Sequence, residues 1–196
     1  MEAFEQQGSL ALVNYIADPL GAFVHSLRKL LPGEEIPQAH ITILPPRPLQ
    51  LPVEAASREV RRVLERFERF EVELSTVCRF PQTNYLYLDI AEGNTSLHTM
   101  HDALNTGVLN HAEKFEYRPH LTIGGPVSES ALESIQSEAE RAWRASGCSP
   151  RLVVDEIVCL WLPHGGTSSD WLRLWSHRLG GNAGRKATAG ITAQTF

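Results

Sequence analysis

The chain has 196 residues, of which 42% are hydrophobic and 21% charged, and a formal net charge of −5. That length and balance suit one large domain or two small lobes around a substantial core. An acidic chain lacks the broad basic surface of a protein that tracks a long nucleic-acid tract, so an RNA-like substrate would be short or gripped at its end. The three cysteines, Cys78, Cys148 and Cys159, are odd in number and show no C-x-x-C spacing. They read as reduced thiols rather than a disulfide frame or a zinc site. The opening MEAFEQQG has neither a basic nor an apolar leader region, and no apolar run approaches the ~20 residues of a membrane helix. The expectation is a cytoplasmic monomer with no membrane partner.

In chain order, residues 9–17 read as a strand, and Asp18-Pro19 opens a helix through Leu30 with Pro at the first helical position. Pro32-Gly33 ends that helix. Residues 38–44 form a strand closed by Pro45-Pro46. Apolar spacings of three and four predict a helix from Val53 to Phe70, followed by a strand from Glu71 to Val77. Residues 85–90 alternate, with Leu86, Leu88 and Ile90 on one face and Tyr85, Tyr87 and Asp89 on the other. A helix over 94–106, a strand over 117–123, a helix over 128–146 and strands over 151–162 and 171–178 complete the series. The last two would form a hairpin around His164-Gly165-Gly166. The first strand-helix-strand-helix-strand series, about 9–78, is repeated over about 85–179. Glu71 opens a strand 31 residues after His40, and Arg151 opens one 31 residues after His120. The plan is α+β and bilobal: two pseudo-symmetric lobes, each with an antiparallel sheet covered by helices on its outer face, flank a central cleft. Residues 1–180 make one domain, and 181–196, rich in Gly, Ala and Thr, read as a loose tail.

Within the repeat lie His40-Ile41-Thr42-Ile43 and His120-Leu121-Thr122-Ile123, eighty positions apart. On a strand, His and Thr share one face while the aliphatic residues point to the core. Two such phrases can bring two imidazoles and two hydroxyls to one surface. Histidine titrates near neutrality, so a pair can supply the base that deprotonates a nucleophile and the acid that protonates a leaving oxygen. The hydroxyls can donate to non-bridging phosphoryl oxygens as charge develops. This is a kit for metal-free phosphodiester chemistry.

AHITILPP and YRPHLTIGGP resemble the paired His-x-Thr-x signatures of the 2H phosphoesterase superfamily, which includes the 2'-5' RNA ligases and cyclic phosphodiesterases. The resemblance runs from about Ser9 to Leu179. It implies a bilobal fold, no cofactor, and action on 2',3'-cyclic phosphates or 2',5'-linked nucleotides, reversible as 2'-5' ligation. By position it carries the four catalytic roles to His40, Thr42, His120 and Thr122.

Other residues have two readings. Arg118 shares the face of His120 and could bind phosphate, or be a solvated Arg at a strand entrance. Tyr85 and Tyr87 could stack a base or pack beneath the neighbouring lobe. His98 and His101, with His111 nearby, hint at a metal site but lack a completing Cys or carboxylate cluster, so surface histidines are the alternative. Trp161, Trp171 and Trp175 read as packing around the last hairpin. Two rival functions follow: a nucleotide or RNA-end binding module without turnover, and a metal-dependent hydrolase built on the three histidines. Finally, Arg118 precedes His120 where neutral Gln38 precedes His40. A fixed cation disfavours imidazolium, which would make His120 the base and His40 the acid.

Overall fold

The computed structural model describes residues 8–29, 31, 37–167 and 169–180. The expected Pro32-Gly33 stop and the 181–196 tail lie outside the described residues. The order is β1 (Ser9–Tyr15), α1 (Leu20–Arg28), β2 (His40–Pro48), α2 (Val53–Leu64), β3 (Phe70–Arg79), β4 (Leu86–Glu92), α3 (Asn94–Leu104), β5 (His120–Gly124), α4 (Leu132–Ala145), β6 (Arg151–Val154), β7 (Glu156–Leu162) and β8 (Leu172–Arg178). The expected α+β plan is the one observed. All eight strands join one antiparallel sheet in the order β6-β3-β4-β5-β2-β1-β7-β8, so the two lobes share a sheet through the β5–β2 seam.

Sequence halves and strand neighbours do not coincide. β3 follows the first motif yet pairs with β4, while β7 follows the second motif yet pairs with β1. The helices cross in the same way: α1 packs on β5, and α3 packs on β2. Each helix buries one stripe, as α2 does with Val53, Ala56, Val60, Val63 and Leu64. These stripes meet Ile41, Leu88 and Leu121 from the sheet in one core cluster. The alternation of β2 and β5 therefore sends His40, Thr42, His120 and Thr122 to the opposite face, away from the helices. Among the described residues no helix is long and apolar enough to cross a membrane.

Several boundaries differ from expectation. Pro19 caps α1 rather than opening it, and Asp18 Oδ1 accepts from the Ala22 N–H at 2.9 Å. β2 continues through Pro45 and Pro46 to Pro48. The pairing of β1 with β2 is irregular there, passing from Leu12↔Leu44 to Leu10↔Arg47, so these residues fall outside the regular ladder. Prolines are tolerated at such bulges because no ladder hydrogen bond is lost. α2 ends six residues early, as Arg66 and Phe67 turn back on the carbonyls of Val63 and Leu64. β5 begins at His120 rather than 117, and α4 at Leu132 rather than 128. The strand expected over 151–162 is two strands: β6 pairs with β3, β7 with β1, and the chain changes lobe at Asp155.

Candidate active site

β2 and β5 meet at the register pair Ile41↔Leu121, both fully buried. The residues before and after that pair, His40 and Thr42 on one strand and His120 and Thr122 on the other, are half-buried. The seam thus sets the two motifs side by side. Across that seam, the charge of a protonated His40 lowers the pKa of His120.

The two imidazoles are held alike. His40 Nδ1 lies 2.7 Å from the Gln38 carbonyl oxygen, and His120 Nδ1 lies 2.7 Å from that of Arg118. A carbonyl can only accept, so Nδ1 carries the proton in each ring. Each Nε2 is then the titrating atom, free to take or give a proton. Burial lowers the pKa of both histidines. At His40 the bond to Gln38 opposes that effect and the charge of Arg28 adds to it. At His120 the bond to Arg118 opposes it, the charges of His40 and Arg118 add to it, and Asp89 opposes it.

The surroundings differ. Across β4, Asp89 is the register partner of His120, and Tyr87 that of Thr122. Buried Tyr87 stacks on Phe80 at 4.2 Å between ring centroids, and both rings meet the His120 ring edge-on at 5.3 and 4.8 Å. Arg118 donates to Asp89 Oδ1 at 3.2 Å and lies 5.3 Å from the Tyr87 ring centroid. Across β1, the partner of His40 is Tyr15, 6.2 Å away ring to ring, and that of Thr42 is Val13.

The structure brings the two His-x-Thr pairs and Arg118 together. Tyr87 packs beneath His120. Tyr85 stands just before β4, half-buried beside Gly125, and no ring contact or hydrogen bond ties its side chain to either histidine among the described residues. The expected charge asymmetry does not hold. Arg28 places a cation at His40 as Arg118 does at His120, so the assignment of His120 as base loses its ground. Sequence reasoning missed Arg28 and Tyr117, and it read Asp89 only as a face-mate of Tyr87.

The metal alternative finds no donor set. Both ring nitrogens of His101 are taken, Nδ1 by Asp102 and Nε2 by Glu113, each at 2.9 Å. Among the described residues no three His, Cys, Asp or Glu side chains converge as a metal would require.

The family model of the 2'-5' RNA ligase superfamily matches residues 16–166. Candidate phosphoesterases of Geobacillus sp. strain WCH70 and Halalkalibacterium halodurans are similar, with 25% identity over 109 residues and 31% over 102. These matches cover 51% and 47% of this chain and 62% and 59% of the relatives, so they span about three fifths of the relatives' length. E. coli LigT complexed with 3'-AMP shares the fold at a TM-score of 0.60 and 14% identity, over 90% of this chain and 99% of that one. Kluyveromyces marxianus Usb1 does so at 0.52 and 11%, over 81% and 98%. The chain therefore belongs to the 2'-5' RNA ligase superfamily of 2H phosphoesterases.

Proposed function

We propose that this chain is a metal-independent phosphodiesterase acting on 2',3'-cyclic phosphate RNA ends or on small cyclic or 2',5'-linked nucleotides. The observation that carries the reading is the matched pair of imidazoles on adjacent strands, each with Nδ1 tied to the carbonyl two residues back. That tie leaves two reactive Nε2 atoms on one surface. One Nε2 takes a proton from water as the water oxygen bonds to phosphorus. The P–O3' bond breaks, and the other Nε2–H protonates the departing 3' oxygen, giving a 2'-phosphate. A 5'-hydroxyl in place of water, with the same P–O3' bond breaking and the 3' oxygen protonated, gives a 2'-5' linkage; the reverse step cleaves that linkage back to the cyclic phosphate. Thr42 and Thr122 offer hydroxyl donors to the non-bridging oxygens. His40, Thr42, His120 and Thr122 carry the chemistry, and Arg118 is the candidate phosphate contact. The binding of 3'-AMP by a protein of the same fold supports a small nucleotide as ligand.

With both histidine pKa values lowered, the free protein keeps both rings neutral at neutral pH. A bound phosphate anion favours imidazolium, so substrate binding draws in the proton that the acid needs. The bell-shaped profile of kcat/KM should centre below the ordinary histidine value of about 6.5, and that of kcat should lie higher. The test is a panel of 2',3'-cyclic nucleotides and 2',5'-dinucleotides in EDTA, with turnover expected. Loss of activity on chelation overturns the metal-free mechanism. Tight binding without product makes the protein a binding module instead.

A further inference from the structure

The seam between the motif strands is thin, with Ile41↔Leu121 as its register pair. Just past that pair, the carbonyl of each motif threonine accepts from a side chain of the opposite sequence half. The Tyr117 hydroxyl donates to the Thr42 carbonyl at 2.8 Å. Arg28, from the last turn of α1, donates through Nη2 to the Thr122 carbonyl at 2.8 Å and through Nε to that of Ile123 at 3.2 Å. Its third nitrogen, Nη1, reaches the Pro37 carbonyl, on the segment leading into His40. One guanidinium thus holds the approach to the first motif and the exit of the second.

Tyr117 is itself anchored. Its ring stacks on His101 at 3.9 Å, with 5° between the planes. His101 Nε2 meets Glu113, whose Oε1 accepts from Arg47 at 2.7 Å. Arg47 is 1% exposed and also donates to Asn105 Oδ1 at 2.6 Å and to the Leu109 carbonyl at 2.8 Å. Arg47 lies on β2, so this chain of contacts leaves the strand at Arg47 and returns to it at Thr42. Burial pushes the Tyr117 hydroxyl above the ordinary phenol range, which keeps it a donor.

We propose that Arg28 and Tyr117 are positioning residues that set the separation and aim of the two motif histidines, each bracing the motif strand of the other half. The proposal rests on the two-histidine reading above and adds to it what holds the pair in register. Chemistry between two groups on opposite sides of one phosphorus is sensitive to their placement, and ~1 Å of misplacement can cost on the order of 10²-fold. The braces differ in charge. The groups facing His40 are Arg28 from α1, Tyr15 from β1 and His120 from β5, so only the Arg28 brace brings a fixed charge to it.

The test uses Tyr117→Phe, Arg28→Gln and Arg28→Lys in the full chain. Thermal melting, kcat and KM for adenosine 2',3'-cyclic phosphate, and NMR titration of the imidazoles without substrate are the readouts. Tyr117→Phe should lower kcat about 10–100-fold with KM within about threefold, and leave both imidazole titrations in place. Arg28→Gln should lower kcat similarly and move the His40 titration upward. Arg28→Lys should restore the His40 titration but not kcat, because an ammonium keeps the charge without the planar three-carbonyl grip. Wild-type kcat in Tyr117→Phe and Arg28→Lys overturns the proposal, even if Arg28→Gln does not fold. If the wild type turns over no diester, the functional reading falls, and the titrations decide the braces alone. An upward shift of His40 in Arg28→Gln then supports the contact, and an unmoved His40 overturns it.

Discussion

The two motif halves are alike where the backbone makes the contact and unlike where side chains do. Each histidine binds the carbonyl two residues back at the same 2.7 Å. Each is followed by a fully buried aliphatic and then by a half-buried threonine. Around this shared frame, His40 has Tyr15 and the tightly bonded Arg28, whereas His120 has Asp89, the Tyr87–Phe80 stack and an Arg118 that is 53% exposed. In the proposed reaction this symmetric frame supplies two equivalent proton-transfer groups. The unlike surroundings then fit a ligand that is itself unsymmetric about phosphorus, with a leaving group on one side and a nucleophile on the other.

The most severe way to probe the equivalence is to remove each imidazole. His40→Ala and His120→Ala should each lose diester hydrolysis by a factor on the order of 10²–10⁴, with Thr42→Ala and Thr122→Ala losing less. A large loss at one histidine and none at the other would break the comparison, because in-line chemistry needs both an acid and a base. The next effect concerns stability. Ile41→Ala and Leu121→Ala each leave a cavity at the seam, where both side chains are 0% exposed. Each should destabilise by ~2–5 kcal/mol in denaturant unfolding, whereas the histidine variants should unfold near wild type. Early unfolding of the histidine variants with stable Ile41 and Leu121 variants would invert the assignment of faces.

The order of strands and helices was legible because it is written in apolar periodicity, which burial against a sheet imposes directly. Residues 151–162 show where that signal ends. Their pattern reads as one strand, yet Asp155 divides them between the two halves of the sheet, a choice made by tertiary pairing. The prolines of β2 misled for a related reason: a strand can keep them where its register slips. At the candidate site, the His-x-Thr phrases were legible because a spacing of two puts His and Thr on one face of a strand, and the proposed reaction uses both side chains. Arg28 was not, since a basic residue in the last turn of a helix is common and its two partners on the second motif, the carbonyls of Thr122 and Ile123, lie far away in sequence. Tyr117 sits beside Arg118 in the YRPH run, but only the path of the loop turns its hydroxyl toward Thr42.

The smallest expected effect separates the halves most sharply. Asp89 is the carboxylate across the ladder from His120, and it works against the burial and the cations that lower that imidazole's pKa. Asp89→Asn removes the carboxylate and leaves the Arg118 charge unopposed. Both changes disfavour imidazolium, so His120 should titrate at still lower pH while His40 stays where it was. In kcat/KM against pH, only the limb belonging to His120 should move, and it should move toward acid. If that is the acidic limb, His120 is the base; if the alkaline limb, His120 is the acid. Tyr15→Phe, at the matching place beside His40, is the control. Burial raises the Tyr15 pKa, so its hydroxyl is neutral across this range and its loss should shift neither limb. A limb that moves toward alkali in Asp89→Asn, or does not move, would mean that the Asp89 carboxylate does not tune His120, and the electrostatic difference between the halves would then rest on Arg28 and Arg118 alone.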